Sequence, residues 1–432
     1  MFLRVVLLLF LSAASWCQSG NQTVPENTAP AALHVDFQRA LELARRQNPE
    51  WRALASGPQA AAGDLLQAGM TPNPTLSLRS SLELPFTLES AGLSLSQEFE
   101  MGGKRDARLA LAESRLRVAQ LRARDGERKL RQELRQELVE TLYFQSLSTV
   151  RGELVKLVDD TLHLTRQRLK IGDVAGLDVI QLETEQARRR ANWQDSLGQL
   201  RARQAALGRL LGEPANVPLW VDGQLGASRT LPTLEDLQKV AANRPDLLAA
   251  QGESEAGARD IELQEARGVS NLTASLGITR ERLLVDGDKI FPRGAVDRID
   301  DRAWVVGASL ALPLPLNDTN EGNIQKARAQ AEGARLQEQT QAQKVQAEVA
   351  RAYHEWEAAR NVVETLQESA MSKALQTLTL TNRAYELGAR SLLNVMQARQ
   401  EYTDLLLTRL EALRSQELAL SRLEAAIGGE LP

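Results

Sequence analysis

The stretch RLKIGDVAGLDVIQLETEQ (Arg168–Gln186) returns late in the chain as RAYELGARSLLNVMQARQE (Arg383–Glu401). Gly172 matches Gly388, Leu177-Asp178-Val179-Ile180-Gln181 matches Leu393-Asn394-Val395-Met396-Gln397, and Leu211-Gly212 matches Ile427-Gly428, always 216 positions apart. Upstream, Asn48-Pro49 is echoed by Arg244-Pro245. A two-fold repeat of roughly 200 residues is too long for a solenoid unit and reads as a duplicated half-protein.

Proline marks the boundaries. None lies between Pro85 and Pro214, or between Pro315 and Pro432. Proline inside a helix costs about 3 kcal/mol, so these runs are where long helices can form. Glycine stops then predict helices over about 104–171 and 177–211, and over about 322–387 and 391–427, each pair an antiparallel hairpin. Val150, Leu157, Leu164 and Ile171 form one line at heptad spacing, beside Leu147 and Leu154. Val349, Trp356, Val363 and Ala370 form another, beside Val345, Ala352, Ala359 and Leu366. Apolar lines of this period need partner helices. A plain cytosolic coiled coil would also show them, but it leaves the N-terminus and the strands unexplained.

Two strand-like segments precede each long run, over about 74–84 and 91–100, and over about 271–280 and 303–312. Leu76, Leu78, Leu93 and Leu95 alternate with Ser and Gln; Leu272, Ala274, Leu276 and Ile278 alternate with Thr, Ser and Gly. Such segments fit outer-membrane barrel strands, and equally a half-buried hairpin of a soluble domain. Four strands cannot close a barrel, and open edges are not tolerated in lipid. If the strands span a membrane, several chains must pool them.

Residues 1–19 read as a secretory signal: Arg4, then a short apolar run over Val5–Ala14, then small residues. About ten apolar residues cannot span a bilayer as a helix. The single cysteine, Cys17, is either a lipid anchor or incidental, and no internal disulfide can form. The repeats then occupy 20–213 and 235–432, joined by a connector over 214–234 that contains Trp220. Lys plus Arg number 52 against 56 Asp plus Glu, a balance that argues against nucleic acid as a partner. The three histidines, His34, His163 and His354, are far apart and lack partners at ligand spacing. Gly102-Gly103-Lys104 lacks the pattern of a phosphate loop. No enzyme constellation, cofactor site or metal site is expected.

The order of elements, the two Asn/Arg-Pro motifs and the two glycine turns resemble the TolC-like outer-membrane efflux proteins, over nearly all of the chain after the signal. Leu95-Ser-Gln-Glu-Phe-Glu-Met-Gly-Gly-Lys-Arg-Asp-Ala-Arg108 is similar to the strand-to-helix junction of the heavy-metal cation (CzcC-like) branch. The resemblance implies a mainly α fold with a small β part. It implies a homotrimer whose four strands per chain make a twelve-stranded outer-membrane barrel above a periplasmic tunnel of helical hairpins. It implies a passive exit duct, without chemistry, working with a periplasmic adaptor and an inner-membrane pump of the RND type; metal specificity would then reside in pump and adaptor. A periplasmic coiled-coil adaptor or scaffold is the competing expectation, to be told apart by membrane integration.

The resemblance also implies site residues. Asp178, Tyr385 and Arg390 match a latch that closes the periplasmic tip. Where relatives carry an acidic ring, this chain has Asn394 and Gln397, with Asp173 and Asp178 the nearest carboxylates, so block by cations is expected to be weak. Gly172, Gly176, Leu177, Gly388 and Leu393 sit at the turns that would meet the adaptor. Phe86, Phe99, Phe291 and Trp304 are candidates for the barrel's aromatic girdles, and Glu281–Arg302 for an external loop.

Overall fold

The computed structural model describes residues 33–83, 87–214, 217–226, 231–286, 298–366 and 368–431. The signal segment, Cys17, Phe86 and Phe291 lie outside the described residues. The first half contains β1 (Leu33–Val35), α1 (Phe37–Gln47), α2 (Pro49–Ala53), α3 (Ser56–Ala68), β2 (Thr75–Glu83), β3 (Thr87–Phe99), α4 (Lys104–Lys170) and α5 (Gly176–Leu211). After β4 (Leu219–Val221) the second half follows: α6 (Leu234–Ala241), α7 (Pro245–Arg267), β5 (Leu272–Asp286), β6 (Arg298–Ala311), α8 (Glu321–Thr365), α9 (Glu368–Glu386) and α10 (Leu392–Ile427). The architecture is mainly α with a small β part. Among the described residues no helix is long and apolar enough to cross a membrane.

The four longer strands form one antiparallel sheet in the order β2-β3-β5-β6, so each half adds a hairpin and β3 joins β5 across the repeat. The register sorts the side chains. The rows Leu76–Leu95–Leu276–Ala308 and Leu78–Leu93–Ile278–Val306 share one face. Thr75–Ser96–Ser275–Ser309 and Ser77–Ser94–Gly277–Gly307 share the other. Leu78 is 83% exposed and Val306 71%, a cost in water that vanishes if that face meets lipid. Pairing continues through Glu281↔Ala303 to Asp286↔Arg298, so both ends of the expected loop Glu281–Arg302 are strand, and its middle lies outside the described residues. Charged residues can extend the ladder there because its hydrogen bonds are made by backbone.

The 67 residues of α4 span about 100 Å at 1.5 Å per residue. The matching helix of the second half is divided: α8 ends at Thr365, and Leu366 leaves helical geometry with φ −83°, ψ 48°. Two physical causes are at hand. Val362, Val363 and Thr365 crowd β-branched residues into one turn, and the Thr365 hydroxyl donates back to the Asn361 carbonyl at 2.7 Å. In the first run the covered line is the second of the two expected, that of Leu147 and Leu154. Leu147, Leu154, Val158 and Leu162 are buried, whereas Ile171 is 79% exposed. In the second run Val345, Val349, Ala352 and Trp356 are buried together against α6 and α10.

A second contrast lies above the hairpins. Following Arg244, α7 runs unbroken for 23 residues. Following Asn48, the chain breaks between α2 and α3, and the residue that prevents continuation is Pro58, whose ring would clash with the carbonyl four residues back. The connector is tied down by β4, which pairs in parallel with β1 and buries Leu219 and Val221 in a core shared with α1, α4 and α5. Trp220, between them, faces outward. Three-residue strands carry no legible period, so this sheet was not foreseeable.

Each half-length helix ends under its own X-Pro motif. The Asn48 amide donates to the Leu210 carbonyl at 2.8 Å. The Arg244 guanidinium donates to the Ala426 carbonyl at 2.9 Å. Leu210 and Ala426 are themselves repeat equivalents. The repeated motif is thus a clasp that holds the last turn of the returning helix.

Candidate aperture at the paired hairpin tips

Both tips are built from one turn. Gly172 and Gly388 have φ of +77° and +75°, where any side chain would be strained. The Asp173 amide bonds the Arg168 carbonyl at 3.0 Å, and the Ala389 amide bonds the Ala384 carbonyl at 2.8 Å. These bonds satisfy carbonyls that the helix end leaves free. Ile171, Leu177, Leu387 and Leu393 project from the two tips, all strongly exposed.

The tips meet through a small apolar cluster of Leu162, Val179, Leu182, Tyr385, Leu392 and Val395. Tyr385 is its centre. Its hydroxyl shares a 3.1 Å hydrogen bond with Thr165 of α4, and the Arg168 guanidinium carbon sits 4.7 Å from its ring centroid. Arg168 also donates to the Tyr385 carbonyl at 2.8 Å and to Asp173 at 2.6 Å. One arginine therefore ties the turn of the first hairpin to the second. Sequence reasoning missed Arg168 and Thr165, although a basic residue in a helix's last turn was a usable signal.

The expected three-way contact among Asp178, Tyr385 and Arg390 is not made within one chain. The Tyr385 hydroxyl is already taken by Thr165, and the residue is buried. Asp178 is half-exposed and Arg390 exposed, and neither side chain has a hydrogen bond or ion pair among the described residues. Asn394 is half-exposed and accepts from the Ser391 hydroxyl at 3.0 Å; Gln397 is exposed.

Two turns above the tip the interface turns polar. Arg399 of α10 is 2% exposed and donates to Thr161 of α4 at 2.7 Å, while its Nε and Nη1 find no partner. Burial and the neighbouring Arg189 charge pull its pKa down to about 10, against the opposing pull of Glu185. Arg189 donates to Glu185 at 2.5 Å and to Gln400 at 3.1 Å, linking α5 to α10. The histidines stand apart from all of this: His34 beside Asp222, His163 beside Gln167 and His354 beside Glu357.

Long helical hairpins that meet at a tip, carrying a sheet with one apolar face, define an efflux duct of the outer membrane. The chain belongs to the outer membrane efflux protein family, which is matched by residues 40–213 and 237–429. It is an outer-membrane channel-tunnel of an efflux system that extends into the periplasm. Among curated relatives, it is 25% identical to the cobalt-zinc-cadmium resistance protein CzcC of Cupriavidus metallidurans, over 90% of this chain and 88% of that one. The same fold is seen in the outer membrane protein VceC from Vibrio cholerae (TM-score 0.72, 19% identity, 91% of this chain and 96% of that one). A CusC structure is similar over 92% of this chain and 94% of its own, with TM-score 0.71 and 17% identity.

Proposed function

We propose that three copies of this chain assemble into a twelve-stranded barrel and a helical tunnel, and that the assembly is a passive exit duct without catalytic activity. One observation carries the reading: the four-stranded sheet has an apolar face, a Ser/Gly/Thr face, and unpaired edges at β2 and β6. Unpaired edges cannot stand in lipid, so β6 of one copy must meet β2 of the next. The small polar face then lines the lumen. A periplasmic scaffold would have no use for the apolar face.

The exposed apolar side chains of the turns, with Gly172, Gly176, Leu177, Gly388 and Leu393, would receive a periplasmic adaptor, behind which stands an inner-membrane pump of the RND type. Likeness to a cobalt-zinc-cadmium resistance protein supports heavy-metal cations as cargo. Asp178 and Arg390, both without side-chain partners among the described residues, would latch across the boundary between copies. Tyr385 acts within the chain, as the pin between its two hairpins.

The test is the mass of the full chain purified in detergent, together with its conductance in planar bilayers. A trimer with stable channels is expected. A monomer that stays soluble without detergent and forms no channels overturns the reading.

A further inference from the structure

The apolar face of the sheet does not end in plain solvent-facing polar residues. Beyond the row Leu78–Leu93–Ile278–Val306 comes Ser80–Ala91–Arg280–Trp304, and the next row sets Arg302 opposite Arg282. From Phe99–Leu272 to Arg280 is eight residues, about 27 Å of strand. At a tilt of about 40° this rises about 20 Å, close to the ~25 Å height of a barrel's outward apolar band. Phe99 and Trp304, 50% and 66% exposed, fall at its two ends. Because β5 and β6 are joined to the helices at the Leu272–Ala311 end, Trp304 marks the end far from the periplasm.

Strand alternation sorts the charges at that end. Glu281 and Asp301 fall on the Ser/Gly/Thr face, whereas Arg280, Arg282 and Arg302 fall on the apolar one. Arg280 lies 5.9 Å from the Trp304 ring centroid, and both Arg280 and Arg302 are exposed. Neither has a carboxylate partner among the described residues, while Arg282 has interactions of its own. Arg280 and Arg302 are diagonal neighbours on that face, and like charges so placed are unfavourable unless an anion intervenes. A guanidinium resting on an indole keeps its edge free, and that edge fits a phosphate bidentately.

We propose that Arg280, Arg302 and Trp304 form a binding site for the phosphate of an outer-leaflet glycolipid. The inference rests on the barrel reading: pairing between copies uses strand edges and leaves this face to lipid. The phosphate would sit between Arg280 and Arg302, with Trp304 at the boundary of headgroup and acyl chain. In each assembled barrel the site would recur three times.

The experiment is native mass spectrometry of the full chain in detergent, titrated with diphosphorylated lipid A or with its dephosphorylated form. Retention of the phosphorylated lipid at least tenfold stronger than of the other is expected. The double variant Arg280→Gln with Arg302→Gln should lose that preference while keeping wild-type channel conductance. Equal retention of the two lipids by the wild-type protein overturns the site, and so does a double variant that retains lipid unchanged. Displacement of the lipid by inorganic phosphate at equal concentration would assign a free-phosphate site and overturn the lipid assignment. If wild-type channels conduct but select no phosphorylated lipid, only this inference falls; if no channel forms, the barrel reading falls with it.

Discussion

The clasps at Asn48 and Arg244 perform one task with different chemistry. Asn48 works alone: its amide nitrogen holds the Leu210 carbonyl, and its carbonyl oxygen accepts from the Glu50 amide at 2.7 Å, capping α2. In the second half the tasks are divided. Arg244 holds Ala426, Asp246 accepts from the Leu247 amide at 3.0 Å, and the two side chains form a bidentate pair at 3.0 and 2.5 Å. Glu348 of α8 adds a contact to Arg244 at 2.9 Å, and Gln341 donates to Asp246 at 2.8 Å. A neutral clasp joins two elements. The charged clasp joins α7, α8 and α10, and it introduces charges that depend on each other. Duplication preserved the task, and the fourfold anchorage fell to the half whose long helix is divided.

The comparison breaks most sharply at Arg244. Replacing Arg244 by Met takes the guanidinium away from Asp246, Glu348 and a helix-end carbonyl, and breaking a buried pair on one side costs about 3–5 kcal/mol. Asn48→Ala should cost about 1–2 kcal/mol, the range of a lost cap with a buried hydrogen bond. The midpoints of thermal dissociation in detergent would rank the two variants, and equal losses would refute the division of labour. The pH dependence gives a second handle. Burial alone would raise the Asp246 pKa, but the hydrogen bonds and charge of Arg244, with Arg128 behind, hold it below an ordinary aspartate. A depressed folded-state pKa gives stability that is full above about pH 4 and is lost as pH falls through the folded value. Wild-type protein should lose stability in that acidic window, whereas Asp246→Asn should be flatter there.

A second contrast sits near the tips. Arg399 occupies the repeat position of Glu183. Glu183 is on the surface, paired with Arg166 at 2.6 Å across the first hairpin. Arg399 is buried with two nitrogens unsatisfied. The return helices therefore present different faces to the hairpin interface. Arg399→Met should be neutral or stabilising by about 1–4 kcal/mol, because the burial cost of a poorly paired charge is removed. Glu183→Gln should change stability by less than about 1 kcal/mol. Burial pulls the Arg399 pKa down, yet the group stays charged across neutral pH, so its burial cost is present throughout that range. Channels of the Met variant should stay closed longer in bilayer recordings. Destabilisation by several kcal/mol instead would make Arg399 a structural tie.

The duplication was legible because its glycines mark backbone geometry that no other residue supplies cheaply. The sheet was legible because register and side-chain alternation share the period of two: Leu76, Leu78, Leu93 and Leu95 do fall on one face. The seam line of the first hairpin was not, since heptad spacing fixes the period of an apolar stripe but not which of two adjacent lines is covered. Val150, Leu157 and Leu164 are half-buried beside the covered line. The tip was legible in its turns and not in its contacts. Arg168 and Tyr385 are 217 residues apart, and no local rule joins them.

The pin itself should be worth less than the clasps. Tyr385→Phe removes one shared hydrogen bond with Thr165 and keeps the ring under Arg168, so a loss of about 0.5–1.5 kcal/mol is expected. Arg168→Gln removes the stacked cation and the tie to Asp173, and should open channels more often than Tyr385→Phe does. Bilayer open probability would order the pair, and the reverse order would place the pin in the hydroxyl.

The smallest effects belong to the exposed tip residues, where water screens every charge. Asp178→Asn or Arg390→Gln should each change stability by no more than about 0.2–1 kcal/mol. Their signature is kinetic: a latch between copies, even a weak one, repeats in each copy of the assembly, so conductance should rise in either variant and no further when both are combined. Independent effects would mean that the two side chains do not face each other across the boundary. The aperture supplies the companion measurement. Asn394 and Gln397 can hydrogen-bond a hydrated cation but add no charge, and Asp173 is already neutralised by Arg168. A trivalent cation should therefore block wild-type channels only weakly. Asn394→Asp with Gln397→Asp should tighten block at least tenfold, because the ring then gathers fixed negative charge in a narrow space. Tight block of the wild-type channel at micromolar levels would show that Asp178, not the Asn394 ring, faces the passage.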